Sequence, residues 1–303
     1  MIAIPFGCLR QRYKNHSVNK ISKEEAKLAI ILNEYQTPGH SLNWKIKKIL
    51  HQEITPFQSL AILDLEDYGR ALVLDDNIQV TIKDEFIYNE MLTHVPLFTH
   101  PNPHRVLIVG GGDGGAVREV LKHPTVDQIT LCEIDEKVVQ ACRQYLPEIS
   151  MALDDPKVEI IHKDGYEYIE NNKNQYDIIL IDSSDPIGPA TKLFQAEFYR
   201  KIYEALKEDG VFTAQSQSPF YDQSLIKNVH NSIKSIFPVT RMYLGCTPTY
   251  PGGLWSFTLG SKVYDPYQHN TADDDVIETN YYNHDLYRAA FVLPTFLSRL
   301  LEE

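Results

Sequence analysis

Val109-Gly110-Gly111-Gly112-Asp113-Gly114-Gly115 follows an apolar run, Arg105–Val109, and precedes a helix-forming stretch, Ala116–Lys122. Gly110, Gly112 and Gly115 satisfy the spacing GxGxxG, and Glu133 closes the next apolar run about 20 residues on. A glycine turn between strand and helix, followed by an acid at that distance, suits a nucleoside-type ligand with its ribose hydroxyls on the acid. No Lys-Ser/Thr pair ends the loop, so it is not a Walker A element.

Working outward, apolar runs and helical patterns alternate. Strands are expected at Arg105–Val109, Gln128–Glu133, Val158–His162, Tyr176–Ile181, Gly210–Gln215, Val239–Leu244 and Leu254–Gly260. Helices are expected at Glu136–Leu146, Gln195–Lys207 and Asp222–Ile236, the last with Leu225, Ile226, Val229, Ile233 and Phe237 at helical spacing. Near-continuous apolar strands alternating with helices imply a mostly parallel seven-stranded sheet covered on both faces, an α/β domain. Upstream, Ser59–Leu65, Arg70–Leu74 and Ile78–Ile82 are short strands separated by Glu66-Asp67-Tyr68-Gly69 and Asp75-Asp76-Asn77, which predicts a small antiparallel β unit. A helix over about Asp84–Leu92 and the loop Thr99-His100-Pro101-Asn102-Pro103 join the two parts. Ser22-Lys23-Glu24-Glu25 reads as a capping box opening a helix through about Leu32, with a turn at Thr37-Pro38-Gly39. The expected division is an N-terminal extension, 1–33, a β domain, 34–95, and a catalytic domain, 96–303.

The chain has 303 residues and a formal charge of −12, unevenly placed. Residues 1–50 carry nine basic and three acidic side chains, whereas the other 253 carry 20 basic against 38 acidic. An acidic body repels polyanions, so nucleic acid is not an expected partner. No run of eighteen apolar residues exists, and the basic residues Arg10, Arg12 and Lys14 follow the apolar start rather than precede it. Neither a membrane span nor a secretory signal is therefore expected. The four cysteines lack CxxC spacing and the eleven histidines form no HxxxH or Cys/His cluster, which predicts free thiols and no metal site. The expected location is the cytoplasm.

Asp113 narrows the ligand. A dinucleotide would lay a pyrophosphate over this loop, and a carboxylate beside it is unfavourable. An adenosyl sulfonium carrying an ammonium group has no such conflict, so an S-adenosyl donor fits better than NAD; a helix-capping role for Asp113 is the alternative. Asp182-Ser183-Ser184-Asp185-Pro186-Ile187-Gly188-Pro189 follows the strand Tyr176–Ile181 directly. Strand ends line the crevice of open α/β sheets, so two acids there with a Pro/Gly-rich loop read as a site with a lid, or else as a simple Asx turn. Asp164-Gly165 stands at another strand end, where the acid suits an adenine amino group. Tyr250, in Cys246-Thr247-Pro248-Thr249-Tyr250-Pro251-Gly252-Gly253, offers an aromatic wall or cation–π face to an aliphatic amine.

Together these motifs resemble the polyamine aminopropyltransferases, the spermidine synthase family. The likeness runs through Leu74–Asp75, Gln79, Asp84-Glu85-Phe86-Ile87-Tyr88, His100-Pro101-Asn102-Pro103, the glycine loop, Cys132-Glu133-Ile134-Asp135 and Asp182–Pro189. It continues through Pro248-Thr249-Tyr250-Pro251 and Tyr281-Tyr282-Asn283 to Arg288-Ala289-Ala290-Phe291-Val292-Leu293-Pro294. The resemblance implies a Rossmann-like catalytic domain of the class I methyltransferase type after the small antiparallel β domain. It implies transfer of an aminopropyl group from decarboxylated S-adenosylmethionine, a co-substrate, to a diamine such as putrescine, with no metal or other cofactor and a homodimeric or homotetrameric assembly. It further implies Asp182 as general base with Tyr88 beside it. Gln58, Asp113, Glu133, Asp164, Gly165 and Pro189 would hold the donor. Tyr88, Asn89, Asp182, Ser183, Ser184, Asp185 and Tyr250 would line the amine side. Asn89 stands where the family commonly carries His or Gln, Gln217 where many members carry an acid, and Ile30-Ile31-Leu32 where many place an aromatic. Putrescine is the default acceptor, with cadaverine, agmatine and longer amines as alternatives. An amine N-methyltransferase and a catalytically silent polyamine-binding homologue are the rival readings.

Overall fold

The computed structural model describes residues 30–184, 188–268 and 277–302. The first five strands form one sheet in sequential order: β1 (Ile30–Thr37), β2 (His40–Ile54), β3 (Ser59–Leu65), β4 (Gly69–Leu74) and β5 (Asn77–Thr81). Alternation sets its two faces, and a one-residue bulge in β5 puts Ile78 and Val80 on opposite ones. Leu60, Ile62, Leu72 and Val80 turn one way, onto a helix of the second sheet's layer, whereas Leu63, Leu65, Val73 and Ile78 pack on the other face with Trp44 and Ile46. Asp75 and Asp76 close the β4–β5 hairpin, both with φ in the left-handed region (47° and 64°), the geometry of the tight turn that matches strand twist.

Two upstream expectations differ from the structure. Ile30–Leu32 belong to strand β1, not to a helix ending near Leu32, and the sheet therefore starts inside the stretch assigned to the extension. Residues 22–29 of that helix lie outside the described residues. The fifteen-residue strand β2 is not among the expected strands, because Lys45, Lys47 and Lys48 interrupt the apolar pattern of a largely exposed strand.

Helix α1 (Glu85–Thr99) runs a further turn and more past Leu92, and nearly all of it is buried. Polar Thr93 and His94, then Pro96, disguise this stretch in sequence. The fold accommodates them: His94 Nε2 and Nδ1 meet Glu119 and His123 at 3.0 Å each.

The second sheet follows the elements β6 (Arg105–Gly110), α2 (Gly115–Leu121), β7 (Gln128–Cys132), α3 (Glu136–Tyr145), α4 (Pro147–Ser150), β8 (Val158–Ile161), α5 (Gly165–Glu170) and β9 (Tyr176–Asp182). After these come α6 (Ala196–Ala205), β10 (Leu206–Gln215), α7 (Gln223–Lys234), β11 (Val239–Cys246), β12 (Leu254–Ser261), α8 (His284–Ala290) and α9 (Thr295–Glu302). Strand order is β11-β12-β10-β9-β6-β7-β8. β10, β9, β6, β7 and β8 are parallel, and β12 is antiparallel to both of its neighbours, so the expected mostly parallel seven-stranded sheet is what forms. Helix α6 stops at Ala205 instead of Lys207 because Leu206 already pairs with Tyr176 as the first residue of β10.

Strand order reverses direction at β6, flanked by β9 and β7. Register places Gly110 opposite Asp182 and Val109 opposite Cys132. The carboxyl ends of three central strands thus meet at one level, which is where open α/β sheets bind ligands. Among the described residues, no helix is long and apolar enough to cross a membrane. Cys132 and Cys142 are buried free thiols, as expected; Cys246 is free and exposed, and Cys8 lies outside the described residues.

Candidate active site

A cavity of about 260 Å³ opens over those strand ends, roofed by β1, the loop between β2 and β3, β4, β5 and the loop after β11. Its floor is the glycine loop. Gly110 (φ 82°) lies so close to β9 that a Cβ there would stand 2.1 Å from the Asp182 carbonyl oxygen. Gly111 N–H donates to that same carbonyl at 3.1 Å, and a Cβ on Gly111 would reach Asp182 Oδ2 at 2.7 Å. Only bare backbone fits under the Asp182 carboxylate.

The structure brings most of the expected residues together. Gln58, Tyr88, Asp113, Glu133, Asp164 and Gly165 line the cavity, as do Asp182, Ser183, Ser184 and Tyr250. Tyr88, from α1, donates its hydroxyl to Asp182 Oδ1 at 2.7 Å, and its ring packs edge-on against Tyr250. Tyr250 in turn donates to the Gln79 carbonyl at 2.7 Å, tying the loop after β11 to β5. Asp113 accepts from Gly115 N–H at 2.8 Å and lines the cavity, but Gly114 is the N-cap of α2, so Asp113 stands one residue outside the capping position. Asp164 caps α5 through Tyr166 N–H at 2.8 Å. Glu133 is steadied by Asp135 N–H at 2.9 Å.

Asn89 departs from expectation. It is buried on another face of α1 and does not line the cavity. Its amide nitrogen donates to Glu85 Oε2 at 2.8 Å, and it packs so tightly on α2 that a Cβ at Gly115 would lie 2.1 Å from it. Helical geometry explains this, since residue 89 stands about 100° around α1 from Tyr88. Asp185 lies outside the described residues, and Pro189 belongs to the short 3₁₀ segment Gly188–Phe194.

Other lining residues were not legible. Glu34 and Gln36 come from β1, the strand that sequence reading missed. Trp255, on β12, reads as an ordinary apolar strand residue, yet its buried indole nitrogen has no hydrogen-bond partner among the described residues. A polar atom of that kind beside a cavity is a signal that only coordinates supply.

The electrostatics are one-sided. The described lining includes the carboxylates of Glu34, Asp75, Asp113, Glu133, Asp164 and Asp182, and no Lys, Arg or His. Burial pushes the Asp113 carboxyl up to about 6 and that of Glu133 up to about 7. Burial, reinforced by the Asp113 charge, pushes Asp182 up to about 7. Burial and the neighbouring Asp182 charge also raise the Tyr88 hydroxyl, keeping it a proton donor to the carboxylate. A bound cation would relieve all of these at once. Elsewhere, His100, Asp177 and Asp209 gather at the opposite end of the sheet, but Lys207 Nζ already contacts both Asp177 oxygens at 2.9 Å.

Fold and site together define an enzyme of the class I methyltransferase-like scaffold with an acidic crevice at its strand ends and a separate β sheet over it. Residues 85–270 match the spermine/spermidine synthase domain, and residues 30–81 match the spermidine synthase tetramerisation domain. The polyamine aminopropyltransferase of Caldicellulosiruptor saccharolyticus is 53% identical over 277 residues, spanning 91% of this chain and 100% of that protein. That of Moorella thermoacetica is 52% identical over 273 residues, 90% of this chain and 96% of the relative. A crystal structure of spermidine synthase in complex with the transition state analogue AdoDATO superposes with a TM-score of 0.85 at 43% identity, covering 90% of this chain and 95% of the other. The chain belongs to the spermine/spermidine synthase family.

Proposed function

We propose that this protein transfers the aminopropyl group of decarboxylated S-adenosylmethionine to a diamine, putrescine in the first instance, giving spermidine and methylthioadenosine. The observation that carries this reading is the cavity lined by carboxylates and, among its described residues, by no basic side chain. Both reactants are cations, a sulfonium with a terminal ammonium and an aliphatic diamine.

In this reading Glu133 accepts from the ribose hydroxyls, Asp164 and Gly165 meet the adenine, and Gln58 faces the donor. Asp113 holds the aminopropyl ammonium. Tyr88, Ser183, Ser184, Asp185 and Tyr250 line the amine side. An aliphatic amine, with a pKa near 10.4, arrives protonated and cannot attack. Asp182 therefore takes one proton from the attacking nitrogen, directly or through water, before or as the N–C bond forms and the C–S bond breaks. Its elevated pKa of about 7 makes it a competent acceptor near neutral pH. The sulfonium leaves as a neutral thioether, so alignment of nitrogen, carbon and sulfur supplies much of the acceleration.

The match of residues 30–81 to a tetramerisation domain supports a homo-oligomer, with a homotetramer as the specific proposal. Buried free thiols are compatible with a reducing, cytoplasmic setting. The test is incubation with decarboxylated or ordinary S-adenosylmethionine and a panel of amines, with products identified by mass. A gain of one aminopropyl unit is expected. A methyl gain would make it an N-methyltransferase, and no product with any amine would make it a silent homologue.

A further inference from the structure

Gln58, in the loop between β2 and β3, lines the cavity, while Asp135, the first residue before α3, lies just behind it with 1% of its surface exposed. Their side chains meet: Gln58 Nε2 donates to Asp135 Oδ2 at 3.0 Å. Thr55 Oγ1 donates to the same oxygen at 2.7 Å and accepts from the N–H groups of Phe57 and Gln58 at 3.1 Å each. Asp135 Oδ1 caps α3 through Lys137 N–H at 3.0 Å, and its own N–H holds Glu133 Oε1.

We infer that Asp135 is a positioning residue that fixes which end of the Gln58 amide faces the ligand. An amide has one donor end and one acceptor end, and a carboxylate can only accept. With Nε2 drawn back to Asp135, the Gln58 carbonyl oxygen is the end left for the cavity. Ribose hydroxyls and an ammonium tail both donate, so the acceptor end is the useful one. Through its backbone N–H the same residue holds Glu133, so one buried side chain behind the cavity orders two of its walls. This inference rests on the nucleoside-donor reading above for the identity of the ligand.

The orientation can be inverted and restored. In D135N the new amide presents hydrogens toward Gln58, which flips and turns its own donor end to the cavity. In Q58E two carboxylates face each other at the present 3.0 Å contact. In Q58E/D135N the amide at 135 donates to the carboxylate at 58, whose second oxygen again faces the ligand, and net charge is unchanged. Methylthioadenosine binding by calorimetry, with melting temperature in parallel, reads the cycle. Each single variant is expected to bind about tenfold more weakly, and the double variant to recover to within about threefold of wild type. Recovery of both fold and binding in the double variant carries the same meaning should D135N alone not fold. A double variant as weak as the worse single, or a D135N variant that melts lower yet binds normally, overturns the inference and leaves Asp135 a helix cap. Wild-type protein that neither binds methylthioadenosine nor transfers aminopropyl groups overturns the functional reading itself, before any variant is compared.

Discussion

Two groups of buried acids, one lining the cavity and one between α1 and α2, behave in opposite ways. In the cavity, Asp113, Glu133 and Asp182 have no basic partner among the described lining residues, and burial holds their carboxyls at about 6 to 7. Behind it, Glu119 is only 1% exposed, yet its carboxyl sits at about 2. Burial pushes Glu119 up as well, but hydrogen bonds from His94 and Lys122 and the charge of Arg118 outweigh it. Arg118 also bridges both Glu85 oxygens, at 2.9 and 2.8 Å. Burial therefore does not decide the state of an acid in this protein; the partner does. One group is internally neutralised and holds α1 to α2, whereas the other is left short of cations, as a binding site for cations should be.

The sharpest way to break this contrast is at its functional end. D182N should lower kcat by about a thousandfold, within the range for losing a general base, while methylthioadenosine binding by calorimetry stays within about threefold. Normal turnover would remove Asp182 from its role. At the structural end, R118M strands Glu85 in the interior, leaves Glu119 with His94 and Lys122 alone, and should lower the unfolding free energy by about 3 kcal/mol in urea titrations. D113N, which removes a charge that burial disfavours more than its neighbours favour it, should leave stability unchanged or raise it. Equal destabilisation by R118M and D113N would erase the distinction.

A pH series separates the two groups further. Acids with raised folded pKa values stabilise the protein fully below their unfolded values near 4 and lose that contribution as pH rises through about 6 to 7. Ligand-free protein should thus melt lower as pH increases from about 4 to 7, and D113N or D182N should flatten the trend. Glu119 works in reverse: its contribution is present above about 4.5 and is lost as pH falls toward about 2. The smallest expected effect is kinetic. The rising limb of kcat/KM, which reports free enzyme, should lie near pH 7, and that of kcat lower, because a bound cation stabilises ionised Asp182. Coincident limbs would mean that the donor does not act on this carboxylate.

Much of the site was legible because it is carried by backbone logic. Gly110–Gly115, Glu133, Asp164 and Asp182 all end strands whose apolar runs are plain in sequence, and the topology of parallel sheets then brings strand ends together. Asn89 failed for a reason of the same generality: adjacency to Tyr88 in sequence means a different face on a helix. Glu34 and Gln36 escaped because β1 and β2 are largely exposed, and an exposed strand has little hydrophobic alternation to read.

Sequence alone determined the glycine turn, the strand–helix alternation, the acidic strand ends and, through their order, the family. These are local choices of conformation and chemistry, repeated at fixed spacing. Tertiary structure decided the rest. It set Tyr88 on Asp182 across 94 positions, drew Gln58 back to Asp135 across 77, and gave Glu119 the partners that the cavity acids lack. Such pairings depend on which surfaces pack together and how water is excluded from them, and a carboxylate takes its character from that surrounding.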